Sequence, residues 1–141
     1  MAVITTATAR RKRNNLASKY AKYTMTASKT LVEGEIIMLT IATGLALNGA
    51  DTAACVGVGV CANSIASAAS GTYICEVEYD HEELFATAVD CTALVGAPAV
   101  ISDNNTVTSV ANGANDVKIG TFTEIVSTSL AWVAVRRPTT L

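Results

Sequence analysis

The chain has little of what catalytic and metal sites usually require. Its 141 residues include one histidine and four cysteines, and no two cysteines have the CxxC spacing typical of zinc ligands. The sequence therefore predicts no metal site. We expect Cys55, Cys61, Cys75 and Cys91 to be buried reduced thiols that behave as small apolar residues. The alternative is a disulfide such as Cys55–Cys61, which requires an oxidising compartment.

Nucleotide and membrane signatures are also missing. Gly57-Val58-Gly59 lacks the third glycine and the following lysine of a phosphate-binding loop, so no cofactor is predicted. The apolar run at 36–47 is too short to span a bilayer, and we interpret it as core. The basic stretch near the start is not followed directly by an apolar run, as a secretory signal requires. We expect a protein made in a cytoplasm, with no membrane partner.

The single histidine is a poor candidate for catalysis. His81 is flanked by Asp80, Glu82 and Glu83, and the sequence HEEL lacks the second histidine of an HExxH zinc motif. We expect an exposed histidine in an acidic segment at 80–88 that forms a helical turn or a loop. The chain is therefore not predicted to be an enzyme.

Aromatic residues make up only 5% of the chain, while half of it is apolar. Small and β-branched residues with few long helix formers favour strands. Strands are predicted at Glu35–Ile41, around Val56–Val60, at Tyr73–Tyr79, in a hairpin turning at 103–105, and in a final pair at 117–125 and 130–135. The glycines at 57 and 59 indicate a strand face lying close to another backbone. The sequence predicts an all-β domain, a small sandwich or barrel of about seven or eight short strands.

Charge is the feature that the chain distributes most unevenly. Residues 1–30 contain no acid and seven of the ten Lys and Arg, whereas all twelve Asp and Glu lie in 31–141. This split predicts a basic N-terminal arm at 1–30, loose when free, attached to a β domain at 31–141. Residues 9–23 are compatible with a helix formed on a partner. The expected binding residues of the arm are Arg10, Arg11, Lys12, Arg13, Lys19 and Lys22.

Three partners suit such an arm: nucleic acid, a membrane surface, or a protein surface rich in carboxylates. Few stacking aromatics and an acidic body argue against nucleic acid, and the lack of a large apolar face argues against a membrane. A solvated tail with no partner is the remaining alternative. Five acids cluster in the body, and they form either the solvent face of a strand or a docking patch for basic residues of a neighbouring subunit: Glu76, Glu78, Asp80, Glu82 and Glu83.

The order of features after residue 30 resembles the decoration proteins of tailed-bacteriophage heads, also called cement or head-stabilising proteins. The segments that carry the resemblance are VGAPAVISDNNTVT at 95–108, VKIGTFTEIV at 117–126 and LAWVAV at 130–135, with Glu33-Gly34-Glu35 before the first long strand. The likeness covers roughly residues 31–136. The basic arm is not part of the common pattern.

The resemblance implies a non-enzymatic protein of the virion, made in the host bacterial cytoplasm and bound to the outer capsid surface. Such proteins bridge neighbouring subunits of the major capsid protein and stabilise the shell. They are compact β domains, often homotrimers and sometimes dimers, and a terminal arm often reaches onto the capsid. The alternative function is a small virion-associated protein that binds nucleic acid through its basic arm.

Overall fold

The computed structural model describes residues 10–14 and 16–138. This part of the chain contains no α-helix and is built from β-strands joined by turns. The strands are β1 (Lys12–Arg13), β2 (Lys19–Thr24), β3 (Thr30–Leu31), β4 (Ile36–Thr40), β5 (Ala46–Asn48), β6 (Cys55–Cys61), β7 (Ile65–Ala66), β8 (Ile74–Tyr79), β9 (His81–Thr87), β10 (Pro98–Ile101), β11 (Thr106–Thr108), β12 (Lys118–Ser127) and β13 (Leu130–Val135). The predicted all-β class is confirmed.

Five of the strands close into a small barrel. The order is β9-β11-β10-β12-β13, and β13 pairs back onto β9, so every barrel strand has two neighbours. The β11–β9 pair is parallel and the other pairs are antiparallel. Phe122, Ile101, Ile119 and Val133 are among the buried residues of its core. Closure removes exposed strand edges, which a short open sheet would present to other chains.

A second sheet of five strands lies beside this barrel, in the order β2-β8-β6-β4-β5. Its ends approach each other, because Met25, directly after β2, forms a parallel bridge with Ala46 of β5. A separate hydrophobic cluster, which includes the buried residues Leu31, Ile37 and Val77, forms the core of this sheet. The chain passes from the sheet to the barrel at Asp80, which joins β8 to β9 with a φ of 59°.

Two glycines of β6 allow close backbone contacts, Gly57 with the barrel and Gly59 with the neighbouring strand of its own sheet. A Cβ atom added to Gly57 would lie 2.4 Å from the carbonyl oxygen of Lys118 on β12, and one added to Gly59 would lie 2.4 Å from that of Glu78 on β8. Both distances are too short for a side chain, so only glycine fits. The predicted close backbone contact at these positions is therefore confirmed.

Several strand predictions agree with the structure. The predicted strand at 73–79 is β8, the hairpin turning at 103–105 is β10–β11, and the final pair is β12–β13. The segment 80–88, expected to be a helical turn or a loop, is instead mostly the barrel strand β9. A helix at 9–23 is also wrong, since this segment contains β1 and β2.

The described part of the basic segment does not stand apart from the domain. β1 pairs with β9 of the barrel, and β2 pairs with β8 of the second sheet along its whole length. β3, at the end of the segment, pairs with β7. The boundary expected at residue 30 therefore does not separate two units here, because backbone pairing and charge hold residues 10–14 and 16–30 against the body. Residues 1–9 of the predicted arm lie outside the described residues.

All four cysteines are unpaired, and Cys61, Cys75 and Cys91 are buried. Burial raises the pKa of the Cys61 thiol to about 12, which keeps this thiol protonated and unreactive at neutral pH. The prediction of buried thiols is confirmed for these three. Cys55 is only half-buried.

Candidate functional site: an ion-pair cluster between the basic segment and the body

Two neighbouring strand pairs bring the opposite charges of the chain together. Lys12 and Arg13 of β1 lie opposite Glu83 and Glu82 of β9, while β2 lies along β8. We call residues 10–14 the strap. We call the four acids around the β8–β9 junction the acidic junction: Glu78, Asp80, Glu82 and Glu83. Residues about seventy positions apart in sequence thus form one cluster.

Arg10 is the centre of this cluster. Its Nη1 lies 2.6 Å from Glu78 Oε1, and its Nη2 and Nε lie 2.6 and 3.2 Å from the two oxygens of Glu83. The side chain of Arg10 is 7% exposed, and those of Glu78 and Glu83 are 0% and 4% exposed. Burial acts to lower the pKa of Arg10, but the hydrogen bond and charge of Glu83, with those of Glu78, raise it above its ordinary value. The guanidinium is therefore a permanent cation bound by two buried carboxylates.

Glu78 receives a second cation at the strap. Lys12 Nζ lies 3.0 Å from Oε1 and 3.3 Å from Oε2 of this carboxylate. Burial acts to raise the pKa of Glu78, but hydrogen bonds from Lys12 and Ser18 and the charge of Arg10 outweigh it and lower the pKa to about 2. Glu78 is consequently ionised across the physiological pH range. Its predicted place on a solvent face is wrong, because the strap covers it.

His81 lies inside the cluster and not in an exposed loop, which corrects the expectation from the sequence. Its side chain is 0% exposed, and its Nε2 lies 2.6 Å from Glu83 Oε1 and 3.2 Å from Arg10 Nη2. Because the guanidinium has only donors and the carboxylate only acceptors, the shorter contact assigns the proton to Nε2, which donates to Glu83. Nδ1 is buried and has no partner among the described residues. His81 thus orients Glu83 toward Arg10.

Arg13 forms the outer, more exposed half of the cluster. Its Nη2 lies 2.7 Å from Glu124 Oε2 and 3.1 Å from Glu82 Oε1, and its guanidinium lies 4.2 Å from the ring centre of Trp132. A cation over an indole face is attracted by the ring quadrupole. The hydrogen bond that Arg13 donates to Glu124 contributes most to raising the pKa of Arg13. Arg13 therefore connects the strap to β9, β12 and β13 at once.

Glu82 accepts further hydrogen bonds from its neighbours. Thr123 Oγ1 donates to Glu82 Oε1 at 2.5 Å, and the Asn14 amide donates to Oε2. Burial acts to raise the pKa of Glu82, but the bonds from Thr123 and Arg13 lower it below its ordinary value. Three side chains of the same chain thus donate hydrogen bonds to this carboxylate.

The remaining predicted site residues lie at or beyond the edge of the cluster. Lys19 Nζ is 3.2 Å from Asp80 Oδ2 and is largely exposed. Lys22 and Glu76 are register partners on β2 and β8, without an ion pair between them. Arg11 and Lys22 are exposed and form no ion pair with the described residues. Of the six predicted arm residues, the structure thus pairs four with carboxylates of the same chain.

Sequence reasoning missed three residues that matter. Glu124 and Trp132 belong to the cluster, but both are more than a hundred positions from Arg13, so no local spacing marks them. Glu35 is buried and accepts hydrogen bonds from the Val32 amide at 2.8 Å and the Asn48 side chain at 2.6 Å. Burial is the main cause that raises the pKa of Glu35. Its position directly before the apolar strand β4 was the only available signal.

The cluster consists of ion pairs and hydrogen bonds within one chain. Across residues 10–14 and 16–138, no group of three or more His, Cys, Asp or Glu side chains is placed to hold a metal ion. A cavity of about 260 Å³ adjoins the cluster, and its carboxylates, Asp80 and Glu82, already bind Lys19, Arg13 and other donors. In the same described part, no helix is long and apolar enough to cross a membrane.

The sequence was also compared with protein families and with curated proteins. No family model and no curated protein matches the chain.

Proposed function

We propose that the chain is a structural, non-enzymatic protein that binds the outer surface of a tailed-phage capsid and stabilises the shell. The observation that supports this most is the resemblance at 95–135. Its segments coincide with β10–β11 and β12–β13, two hairpins of the barrel. A protein that binds several capsid subunits at once needs only modest affinity for each contact, because the first contact raises the effective concentration for the next.

The ion-pair cluster limits which cations of the basic segment are available to contact the capsid. Arg10 and Lys12 are held by buried carboxylates, so using them to bind a second protein would first require breaking those pairs. Leaving a buried charge without its partner costs about 3–5 kcal/mol. We therefore assign the capsid contact to the two of the six predicted arm residues that are exposed and have no ion pair with the described residues, Arg11 and Lys22.

The same reasoning weakens the nucleic-acid alternative. Phosphate binding depends on cations that are accessible to displace condensed counterions. In the strap, Arg10, Lys12 and Arg13 are already neutralised by Glu78, Glu82, Glu83 and Glu124. We keep nucleic acid as an outcome of the test and do not propose it.

Co-sedimentation with expanded, DNA-free heads of the phage that encodes the chain tests this function. Wild type should bind to saturation at a fixed number of copies per shell. An Arg11→Ala/Lys22→Ala variant should bind more weakly at moderate salt, whereas Lys118→Ala, which removes an exposed lysine of β12, should bind like wild type. Absence of binding by wild type would overturn the capsid role. Equal binding by all three proteins would overturn the assignment to Arg11 and Lys22. Retention of duplex DNA by the full chain, without shell binding, would favour the alternative function.

A further inference from the structure

The strap is attached to the domain differently from every other strand pair of the barrel. Its sequence, Arg-Arg-Lys-Arg-Asn, contains no apolar residue, so it contributes nothing to either core. Its contacts include the two register pairs of β1 with β9, the backbone bond from Leu84 N to Arg11 O at 2.9 Å, the Asn14–Glu82 hydrogen bond, the stacking of Arg13 on Trp132, and the ion pairs. Releasing the strap therefore leaves both cores intact.

We call the carboxylates and the Trp132 ring that contact the strap the groove. Each basic strap residue except Arg11 has partners in it. Buried carboxylates bind the first and third strap residues, and a partly exposed pair of carboxylates with the Trp132 ring binds the fourth. Its ligand is an extended segment with the charge pattern Arg-x-Lys-Arg. The described chain supplies one such segment, and each further copy of the chain supplies another.

The connection between β1 and β2 is arranged in a way that permits opening. Asn14 has a φ of 52°, a left-handed conformation that turns the chain back on itself. Leu16 is fully exposed and has no place in either core. Residue 15 lies outside the described residues. The connection therefore has no buried apolar contact in its described part that holds it closed.

We propose that the strap exchanges between two copies of the chain, so that Arg10 of one copy enters the acidic junction of the other. The five residues from 14 to 18, once extended, span about 17 Å. The next residue, Lys19, begins β2 and pairs with Asp80 beside the groove at 3.2 Å. The start of β2, to which the strap is connected, and the groove lie on one face of the domain. A two-fold contact through that face therefore brings the start of β2 in each copy near the groove of the other copy.

The balance between closed and exchanged forms follows from this geometry. The same ion pairs form in both, so they favour neither form. In the closed form, the short connection keeps the strap near its own groove at an effective concentration of about millimolar order. The exchanged form lacks this tether and forms only by association of two copies. The exchanged fraction should accordingly rise as the protein concentration approaches the millimolar range.

Cross-linking of the full chain tests the exchange without disturbing the ion pairs. In a Cys55→Ser background, an Arg11→Cys/Leu84→Cys variant carries thiols across the β1–β9 pair. A short bis-maleimide should give covalent dimers whose fraction rises several-fold between about 0.05 and 1 mM. The matched control, Lys22→Cys/Glu76→Cys, spans β2 and β8, which stay within one copy, and should give only monomers. Monomers alone from the first variant at every concentration would overturn the proposal.

A shortened connection provides a second test. Deleting residues 15–17 leaves two residues between β1 and β2, and we expect this connection to be too short for β1 and β2 to reach β9 and β8 of the same copy. This variant should sediment as a dimer at concentrations where wild type is monomeric, and adding Arg10→Met should return it to a monomer. A folded, monomeric deletion variant would contradict the exchange. The measurements use the isolated chain, so their outcome does not depend on capsid binding.

Discussion

Replacing Arg10 tests the ion-pair cluster at its centre. Arg10→Met keeps much of the aliphatic length of the side chain but removes the guanidinium that joins Glu78 to Glu83. Both carboxylates are almost completely buried, so the variant leaves negative charge in a site that excludes water. Removing one member of a buried ion pair costs about 3–5 kcal/mol. Since Lys12 still binds Glu78 at 3.0 Å, we expect a loss near the lower limit, about 3 kcal/mol.

The assay is urea unfolding at pH 7, followed by the fluorescence of Trp132, the only tryptophan of the chain. A loss of about 3 kcal/mol corresponds to a fall in Tm of about 10 °C for a domain of this size. Arg11→Met is the matched control, because Arg11 is exposed and has no ion pair, and its effect should stay within about 0.5 kcal/mol. If Arg10→Met were no more destabilising than Arg11→Met, the argument that buried charges hold the strap would be refuted.

Three further predictions follow from the same contacts. The pKa of Glu78 falls from 4.5 to about 2 on folding, so its contribution to stability is complete above pH 4.5 and is lost as the pH falls toward 2; acid titration of the unfolding free energy should show this loss, and Glu78→Gln should reduce it. Gly57→Ala would place a methyl group 2.4 Å from the Lys118 carbonyl oxygen and should destabilise the chain by more than about 2 kcal/mol in urea unfolding; loss of less than about 0.5 kcal/mol would contradict the close approach. Arg13→Gln should alter the emission of folded Trp132, yet cost less than about 1 kcal/mol because the pair is partly exposed; an unchanged spectrum would argue against the contact.

Local patterns were sufficient for much of the fold. Alternation at 73–79 predicted β8, and Asp103-Asn104-Asn105 predicted the turn between β10 and β11, because both signals depend on neighbouring residues. The valines and glycines of β6 predicted both a strand and a close backbone contact. Barrel closure by the β9–β13 pair depends on residues about fifty positions apart, and no local signal specifies it.

The candidate site was predicted in its members but not in its arrangement. Arg10, Lys12 and Arg13 were assigned to a loose arm because an unpaired run of charge is usually solvated. The five acids were assigned either to a solvent face or to a docking patch for a neighbouring subunit, and alternation places Glu76 and Glu78 on the face opposite Val77. Alternation does not reveal what lies above that face, and here the strap covers Glu78. Charge complementarity within one chain was the missing inference.

The central claim is that Arg10 and Glu83 attract each other across a buried contact that fastens the strap to the body. A double-mutant cycle of Arg10→Met, Glu83→Gln and the combined variant isolates this interaction from other effects of each substitution. We expect a coupling free energy of at least about 1.5 kcal/mol from urea unfolding at pH 7. A coupling below about 0.3 kcal/mol would mean that the two residues act independently, and it would contradict the account.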